Sequence, residues 1–464
     1  MTNSIVTLTD SYKLGQYSQY PDNMVSMYSY LESRGGQYPA TVFVGLQYYI
    51  KKYLLKVPTK TDVIMAAKLA AEHGEPFNKA GWDYIVELGY LPVSIKAVPE
   101  GSLIPTGLPL LVIESTDPEV PWLPGYLETL LLKLWYPITI ATKSYYIKQT
   151  LLNYGPPDWA NFALHNFSDR GCTSVESASL AGFAHSTQFM GTDNFNSLLL
   201  PALYYNSTSA DSFSVWASEH STTTSYGRDG EEQFVWDQLQ KNPDAPIMSF
   251  VADSYDVYAF TDMVTNPSGR IRQLLDSRPH QKLVIRPDSG DPIEVLERIL
   301  EIMYANCETD RDTRPITFKQ YGLLWGDGIT PEQIEAILEH VTALGYAAEN
   351  FIFGSGGDLA QNITRDTNKF AIKCSQITVQ SDIDCTPEEL HTMNIDIFKD
   401  PITDPGKKSK RGRVTTIVKD GKYELYTQQY NELPEGYEEA LKPVFHNGKL
   451  LIETNLTEIR NKGN

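Results

Sequence analysis

From about residue 140 to residue 360 the chain repeats one pattern: a short apolar run, an abrupt polar stop, then a helical stretch. Residues 162–164 lead to His165-Asn166-Phe167-Ser168-Asp169-Arg170-Gly171, residues 188–190 to Gly191-Thr192-Asp193, and residues 213–216 to Ser218-Glu219-His220-Ser221. Residues 247–251 lead to Asp253-Ser254-Tyr255-Asp256, and residues 283–285 to Arg286-Pro287-Asp288-Ser289-Gly290. Residues 323–325 stop at Gly326-Asp327-Gly328, and residues 351–353 at Gly354-Ser355-Gly356-Gly357-Asp358. Apolar strands alternating with helices imply a parallel sheet covered on both faces. Polar residues after nearly every strand favour a barrel, whose loops converge on one face. An open doubly wound sheet would gather them at a single switch point. The expected fold class is α/β, an irregular (β/α) barrel.

The stretch from Lys282 to Pro292 shows the pattern most sharply. Asp291 can cap a helix and Pro292 can occupy its first position, followed by apolar Val295, Leu296, Ile299 and Leu300. Arg286 can hold a phosphate through a forked pair of bonds, and Asp288 can accept from sugar hydroxyls or bind magnesium. A capped turn with a surface ion pair reads equally well. The Gly354 to Gly357 turn suits close approach to a phosphate, or is simply a tight turn; it matches neither the P-loop nor the dinucleotide fingerprint. Asp193, Asp253, Asp288 and Asp327 can build a magnesium and ribose-hydroxyl site, although each alone is an ordinary cap. His220 can be a base or a nucleophile toward a phosphoryl group, or a satisfied surface histidine. No GxSxG elbow is present, which disfavours a hydrolase triad.

The flanks have a different character. Residues 93–98, 103–104 and 110–114 read as short strands between Pro and Gly turns, a small antiparallel unit. A helix is expected over 126–135, with Pro137 interrupting it or starting the next. One more strand is expected at 370–373, and short strands at 414–418 and 423–426 are expected to rejoin the N-terminal unit. The expected domains are therefore 1–139 and 386–464, together forming a β-rich α+β domain from both chain ends, and 140–385, the barrel. A net charge of -19 argues against nucleic acid as a partner. It leaves room for small phosphorylated ligands held in a local cationic pocket, and the run from Lys407 to Arg413 is either a solvated loop or a lid for polyphosphate. The four cysteines include no CxxC pair. No signal peptide and no membrane-spanning stretch is read, so a cytoplasmic protein with no membrane partner is expected.

Taken together, the ordered stretches TDSYK (9–13), YSYLESR (28–34), GLQYYI (45–50), IKAVPEG (95–101), WYPITIAT (135–142), RG (170–171), GTD (191–193), EHST (219–222), DSYD (253–256), IRPDSG (285–290), GDG (326–328), FGSGG (353–357), TRD (364–366), KCS (373–375) and FKDP with the basic residues to 413 resemble the nicotinamide phosphoribosyltransferase family nearly end to end. The resemblance implies a type II phosphoribosyltransferase barrel in a homodimer with shared active sites. It implies a reaction joining nicotinamide to 5-phosphoribosyl 1-diphosphate, with Mg2+ and with ATP as co-substrate. Phe167 and Tyr12 of the partner subunit would sandwich the pyridine ring, and Asp193 would accept from the carboxamide, with Arg170 nearby. Arg286, Gly356 and Gly357 would hold the 5-phosphate. Asp288 and Asp327, beside Gly326, would bind ribose hydroxyls, and Asp253 with Asp288 would support magnesium. Arg34, Arg365, Lys373, Lys399 and Lys407 would surround the diphosphate or ATP phosphates. His220 would be phosphorylated by ATP, with Glu219 orienting it.

The chain departs from the family pattern at Ser168 and Asp169, where an aromatic and a glycine are expected. It departs again at Asp358, where another glycine is expected, and at Ala371, where a serine is. A carboxylate at 358 threatens phosphate binding. Alternatives are a nicotinate phosphoribosyltransferase, which Asp193 disfavours by repelling an acid substrate, a non-catalytic nucleotide-binding barrel, and an unrelated carboxylate-pair glycosidase.

Overall fold

A computed structural model describes residues 4–307, 309, 315–380, 392–403, 408–427 and 432–463. The chain divides into two compact units, Met1–Thr142 with Leu200–Thr208 and Ile363–Asn464, and Lys143–Leu199 with Ser209–Asn362. In chain order the first unit contributes β1 (Met24–Ser33), β2 (Ala40–Val42), β3 (Val93–Ala97), β4 (Leu103–Pro105) and β5 (Pro109–Ser115). The second contributes β6 (Leu164–Asn166), β7 (Gly191–Thr192), β8 (Trp216–Ala217), β9 (Ile247–Val251), β10 (Lys282–Arg286), β11 (Tyr321–Trp325) and β12 (Phe351–Ser355). The chain then returns to the first unit with β13 (Phe370–Gln380), β14 (Thr392–Asp396), β15 (Val414–Lys419), β16 (Lys422–Thr427), β17 (Glu438–Glu439), β18 (Lys442–His446) and β19 (Lys449–Leu450).

The second unit is the barrel-like one. Its seven strands form a parallel sheet in the order β7-β6-β12-β11-β10-β9-β8. The two edges approach each other: Gly191 of β7 bridges to Phe213, just before β8. The sheet therefore curls into an incomplete barrel. Leu283, Ile285, Phe250, Leu323 and Phe353 are buried in one continuous core, as strands covered on both faces require. Asp291 accepts from the amides of Ile293 and Glu294, both at 3.0 Å, and starts the helix Pro292–Asn306, which buries Val295, Leu296, Ile299 and Leu300. Thr330 starts Pro331–Ala343 through a reciprocal bond with Gln333. Each cap ends a strand-to-helix turn sharply and leaves the residues before it at the strand's carboxyl end.

The first unit is woven from both chain ends. Its main sheet has the order β14-β13-β1-β5-β3-β18-β19, antiparallel throughout. The strand expected at 370–373 is longer than that and pairs with β1, Tyr30 facing Lys373 and Glu32 facing Ala371. It belongs here and not among the parallel strands. Its buried Phe370 and Ile372 alternate with half-exposed Ala371 and Lys373, the signature of a sheet with one covered face. The hairpin β15–β16 forms where strands were expected, but with β17 it makes its own three-stranded sheet instead of joining the larger one. Pro137 lies in the first turn of the helix Trp135–Leu152, where its missing N–H does no harm. The boundary expected at 385–386 lies outside the described residues. No helix among the described residues is long and apolar enough to cross a membrane.

Candidate active site

The carboxyl ends of β6, β7, β10, β11 and β12 surround a cavity of about 740 Å³, within the range of small-molecule sites. Phe167, Arg170, Asp193, Arg286, Asp288, Gly326, Asp327, Gly356 and Gly357 all line it. These nine nominated residues from different strand ends thus line one cavity. His220, Glu219 and Asp253 do not line it; His220 and Asp253 connect to it through Ser289, next to Asp288 in the chain.

Phe167 continues β6, its amide donating to the Ser355 carbonyl at 2.9 Å. Its ring needs two glycines. A Cβ on Gly354 would lie 2.1 Å from the ring, and one on Gly326 would lie 3.2 Å from it. Gly354 and Ser355 are therefore strand residues, and Gly354 serves the aromatic ring. Only Gly356 and Gly357 form the open turn. Nothing lies within 4 Å of a Cβ built on Gly357, and the nearest atom to one on Gly356 is 3.6 Å away. Among the described residues neither amide donates to a protein acceptor. We expect Gly354→Ala to cost about 1–3 kcal/mol of stability by overpacking against the Phe167 ring. Gly357→Ala, with open space around the added methyl group, should melt within about 1 °C of wild type. Thermal melts of the two variants check this pair.

Asp193 leaves β7 with its amide bonded to the Asn166 carbonyl at 3.0 Å. Its carboxylate accepts from the Ser214 hydroxyl at 2.8 Å and stands 3.5 Å from Nδ1 of buried His165. Gly191 makes room for that imidazole, since a Cβ there would meet it at 2.4 Å. Arg286, half-buried at the end of β10, has its Nη2 3.7 Å from Asp288, beyond hydrogen-bond range. Its Nε–H is buried without an acceptor. An orphaned guanidinium donor in a cavity wall is what a bound anion would satisfy. The indole of Trp325 donates to the Asp327 carbonyl at 2.8 Å and fixes the turn carrying Asp327.

His220 opens a short helical turn, His220–Thr224, half in solvent. Its Nε2 lies 3.0 Å from Asp253 Oδ1, and Ser289 donates to Asp253 Oδ2 at 2.5 Å. The Glu219 carboxylate is bonded to Ser221. The carboxylate in contact with His220 is thus that of Asp253.

The other nominated cations lie in the first unit. Burial pushes the Lys373 ammonium below its usual pKa. Glu128 opposes that shift, while Arg34, Lys399 and Lys13 add like charge to it. Arg34 donates to buried Glu32 at 3.0 Å, and Glu32 also pairs with Lys410. These residues form a cationic cluster within that unit. Arg365 is exposed beside Asp366, and Tyr12 is exposed. Lys407 lies outside the described residues.

Residues 162–449 match the nicotinate phosphoribosyltransferase family, and residues 4–95 match the nicotinamide phosphoribosyltransferase N-terminal domain. A nicotinamide phosphoribosyltransferase of Xanthomonas campestris is 40% identical, with 99% of this chain and 97% of that one aligned. The chain belongs to the nicotinamide phosphoribosyltransferase family. Two other relatives of that name are 28% identical in Acinetobacter baylyi, over 98% of this chain and 95% of that one, and 30% identical in Mycoplasma pneumoniae, over 87% and 94%. Among solved structures, a nicotinate-nucleotide pyrophosphorylase from Pyrococcus furiosus superposes with a TM-score of 0.62 at 15% identity, over 100% of this chain and 95% of that one. Human nicotinic acid phosphoribosyltransferase does so with 0.60 at 16%, over 98% and 92%. At such identities the likeness shows the shared type II phosphoribosyltransferase fold.

Three residues of this family member that touch the cavity lining were not singled out from the sequence. His165 sits at the end of an apolar strand and looks like core. Ser214 precedes a strand of only two residues. Lys143 lies inside a helix far from any strand end. Its ammonium donates to the Asp358 carboxylate at 2.6 Å and to the Asp358 carbonyl at 2.7 Å.

Proposed function

We propose that the chain joins nicotinamide to 5-phosphoribosyl 1-diphosphate, giving nicotinamide mononucleotide and diphosphate. The observation that carries this is one cavity lined by an aromatic ring, a carboxylate, an arginine with an orphaned donor and two unpartnered glycine amides. The relatives named nicotinamide phosphoribosyltransferase support it. Phe167 would stack on the pyridine, with Tyr12 of the partner subunit on the opposite face in a homodimer. Asp193 would accept from the carboxamide NH2 and hold the ring nitrogen toward the ribose C1. A nicotinic acid carboxylate would meet like charge there. Arg286 with the Gly356 and Gly357 amides would grip the 5-phosphate, while Asp288 and Asp327 would take the ribose hydroxyls. As diphosphate leaves, C1 gains oxocarbenium character. The departing charge then needs cations, which the cluster at Arg34, Lys373 and Lys399, with Arg365 and Lys407, would supply.

Magnesium fits this donor set in one form only. Among the described residues no three His, Cys, Asp or Glu side chains converge on a metal position. Asp288 offers a carboxylate in the cavity wall, and both Asp253 oxygens are already engaged. Magnesium held by one or two carboxylates and by the substrate's own phosphates matches that arrangement. Asp288 would hold it, with Asp253 supporting from behind through Ser289, and it would neutralise the diphosphate charge.

His220 would take the γ-phosphoryl group of ATP on an imidazole nitrogen, releasing ADP, and hydrolysis of that phosphohistidine would drive synthesis. His220→Ala should abolish ATP stimulation and leave basal synthesis. Equal stimulation in the variant would refute the role. The test of the whole reading is initial rates with nicotinamide and with nicotinic acid, each with the activated ribose phosphate and magnesium. The amide should be turned over far faster. Preference for the acid, or binding of the sugar without turnover, would replace this reading.

A further inference from the structure

The carboxylate at 358 intrudes on the turn that, on the reading above, receives a dianionic phosphate. Asp358 lines the same cavity as Gly356, Gly357 and Arg286. Left alone, it would oppose phosphate binding at close range. It is not left alone. The Lys143 ammonium, only 5% exposed, bonds to Asp358 Oδ2 at 2.6 Å and to the Asp358 carbonyl at 2.7 Å. Asn362 donates to the other carboxylate oxygen at 2.9 Å. The Gly357 carbonyl accepts from the amides of Gln361 and Asn362 at 2.8 and 3.2 Å. Every acceptor from Gly357 O through Asp358 is thus tied back into the protein, and the two glycine amides keep their donors.

We propose that Lys143 is a positioning residue for the sugar phosphate. It cancels the Asp358 charge and, through the carbonyl bond, fixes the turn that presents the Gly356 and Gly357 amides. A third glycine would need no such partner. An aspartate does, and a lysine 215 positions away supplies it. The proposal rests on the reading that this cavity binds a phosphoribosyl group, but not on which pyridine is used.

The test compares wild type, Lys143→Met, Asp358→Gly and the double variant. Affinity for ribose 5-phosphate is read by calorimetry, and KM and kcat for 5-phosphoribosyl 1-diphosphate by turnover. Lys143→Met should weaken ribose 5-phosphate binding and raise that KM by at least about 10-fold, with kcat within about threefold, because ground-state grip is lost and the chemical step is not touched. Removing the carboxylate as well should restore affinity to within about threefold of wild type, since a lost neutral-acceptor bond costs less than an unpaired, partly buried charge in the cavity wall. Unchanged affinity in Lys143→Met would overturn the proposal, and so would a double variant no better than the single one. If Lys143→Met does not fold, the double variant decides: a folded protein with near-native affinity supports the role. A double variant that is also unfolded, or folded but still weak, assigns Lys143 to stability alone. Failure of nicotinamide turnover in wild type with ribose 5-phosphate binding intact would count against the transfer reading and leave this inference standing.

Discussion

Replacing Arg286 by alanine is expected to lower kcat/KM for 5-phosphoribosyl 1-diphosphate by about three orders of magnitude, roughly 4 kcal/mol of lost transition-state stabilisation. The size follows from the surroundings. The guanidinium side chain is mostly buried at the end of β10, its Nε–H lacks an acceptor, and its nearest carboxylate, Asp288, is 3.7 Å away. A bound phosphate would therefore take donors that the protein has left unspent, and charge-assisted forked bonds are the strong kind. Truncation would also leave Asp288 in the cavity wall without a counter-charge, facing an anionic substrate. Arg286→Lys keeps the charge but loses the fork, so it should fall between the two, at about 30-fold. The melting temperature should move little, because the Arg286 side chain makes no hydrogen bond to the rest of the protein among the described residues, and the backbone bond from the Ala252 amide to the Arg286 carbonyl survives the substitution. A loss below about 10-fold in Arg286→Ala would remove this residue from phosphate binding.

Asp193→Asn should change which pyridine is used. In the structure Oδ1 of Asp193 accepts from Ser214 at 2.8 Å and lies 3.5 Å from His165. The asparagine that replaces it would keep its carbonyl oxygen on the Ser214 hydroxyl and turn its NH2 to the remaining position. That group cannot accept from a carboxamide NH2, so nicotinamide kcat/KM should fall by about 100-fold. It can donate to a carboxylate. The repulsion it removes is of the order of 4 kcal/mol for two charges 4 Å apart at a surface-like dielectric. The ratio of nicotinic acid to nicotinamide turnover should therefore rise by at least about 100-fold. Competition between the two substrates, read by product separation, measures the ratio directly. An unchanged ratio would mean that Asp193 does not face the substituent.

Arg286 was legible because it sits where the buried parallel strand Lys282–Arg286 stops, after the apolar run Leu283-Val284-Ile285, whereas Asp193 follows a two-residue strand and was assigned to the carboxamide by the GTD stretch of the family resemblance. The helix starts at Asp291-Pro292 and Thr330-Pro331 were legible for a local reason: a cap and its partner lie within three residues. What stayed hidden depends on pairing across long separations. β13 faces β1 across more than three hundred residues, so the cluster of Arg34, Lys373 and Lys399 has no local signature and was grouped only by the family resemblance. Lys143 meets Asp358 across 215 residues, and a departure that read as a liability carries its own counter-charge. Glycines misled in a different way. Gly354 reads as part of a phosphate loop, yet it is a strand residue that admits the Phe167 ring. The distinction lies in what a methyl group would strike, which no spacing pattern records.

A crystal structure of the protein with nicotinamide mononucleotide bound tests the central geometry most directly. The 5-phosphate should lie against the Arg286 guanidinium and the Gly356 and Gly357 amides, with the carboxamide nitrogen about 3 Å from the Asp193 carboxylate and the ring on Phe167. A mononucleotide bound with its phosphate away from Arg286, or with the carboxamide away from Asp193, would contradict the account.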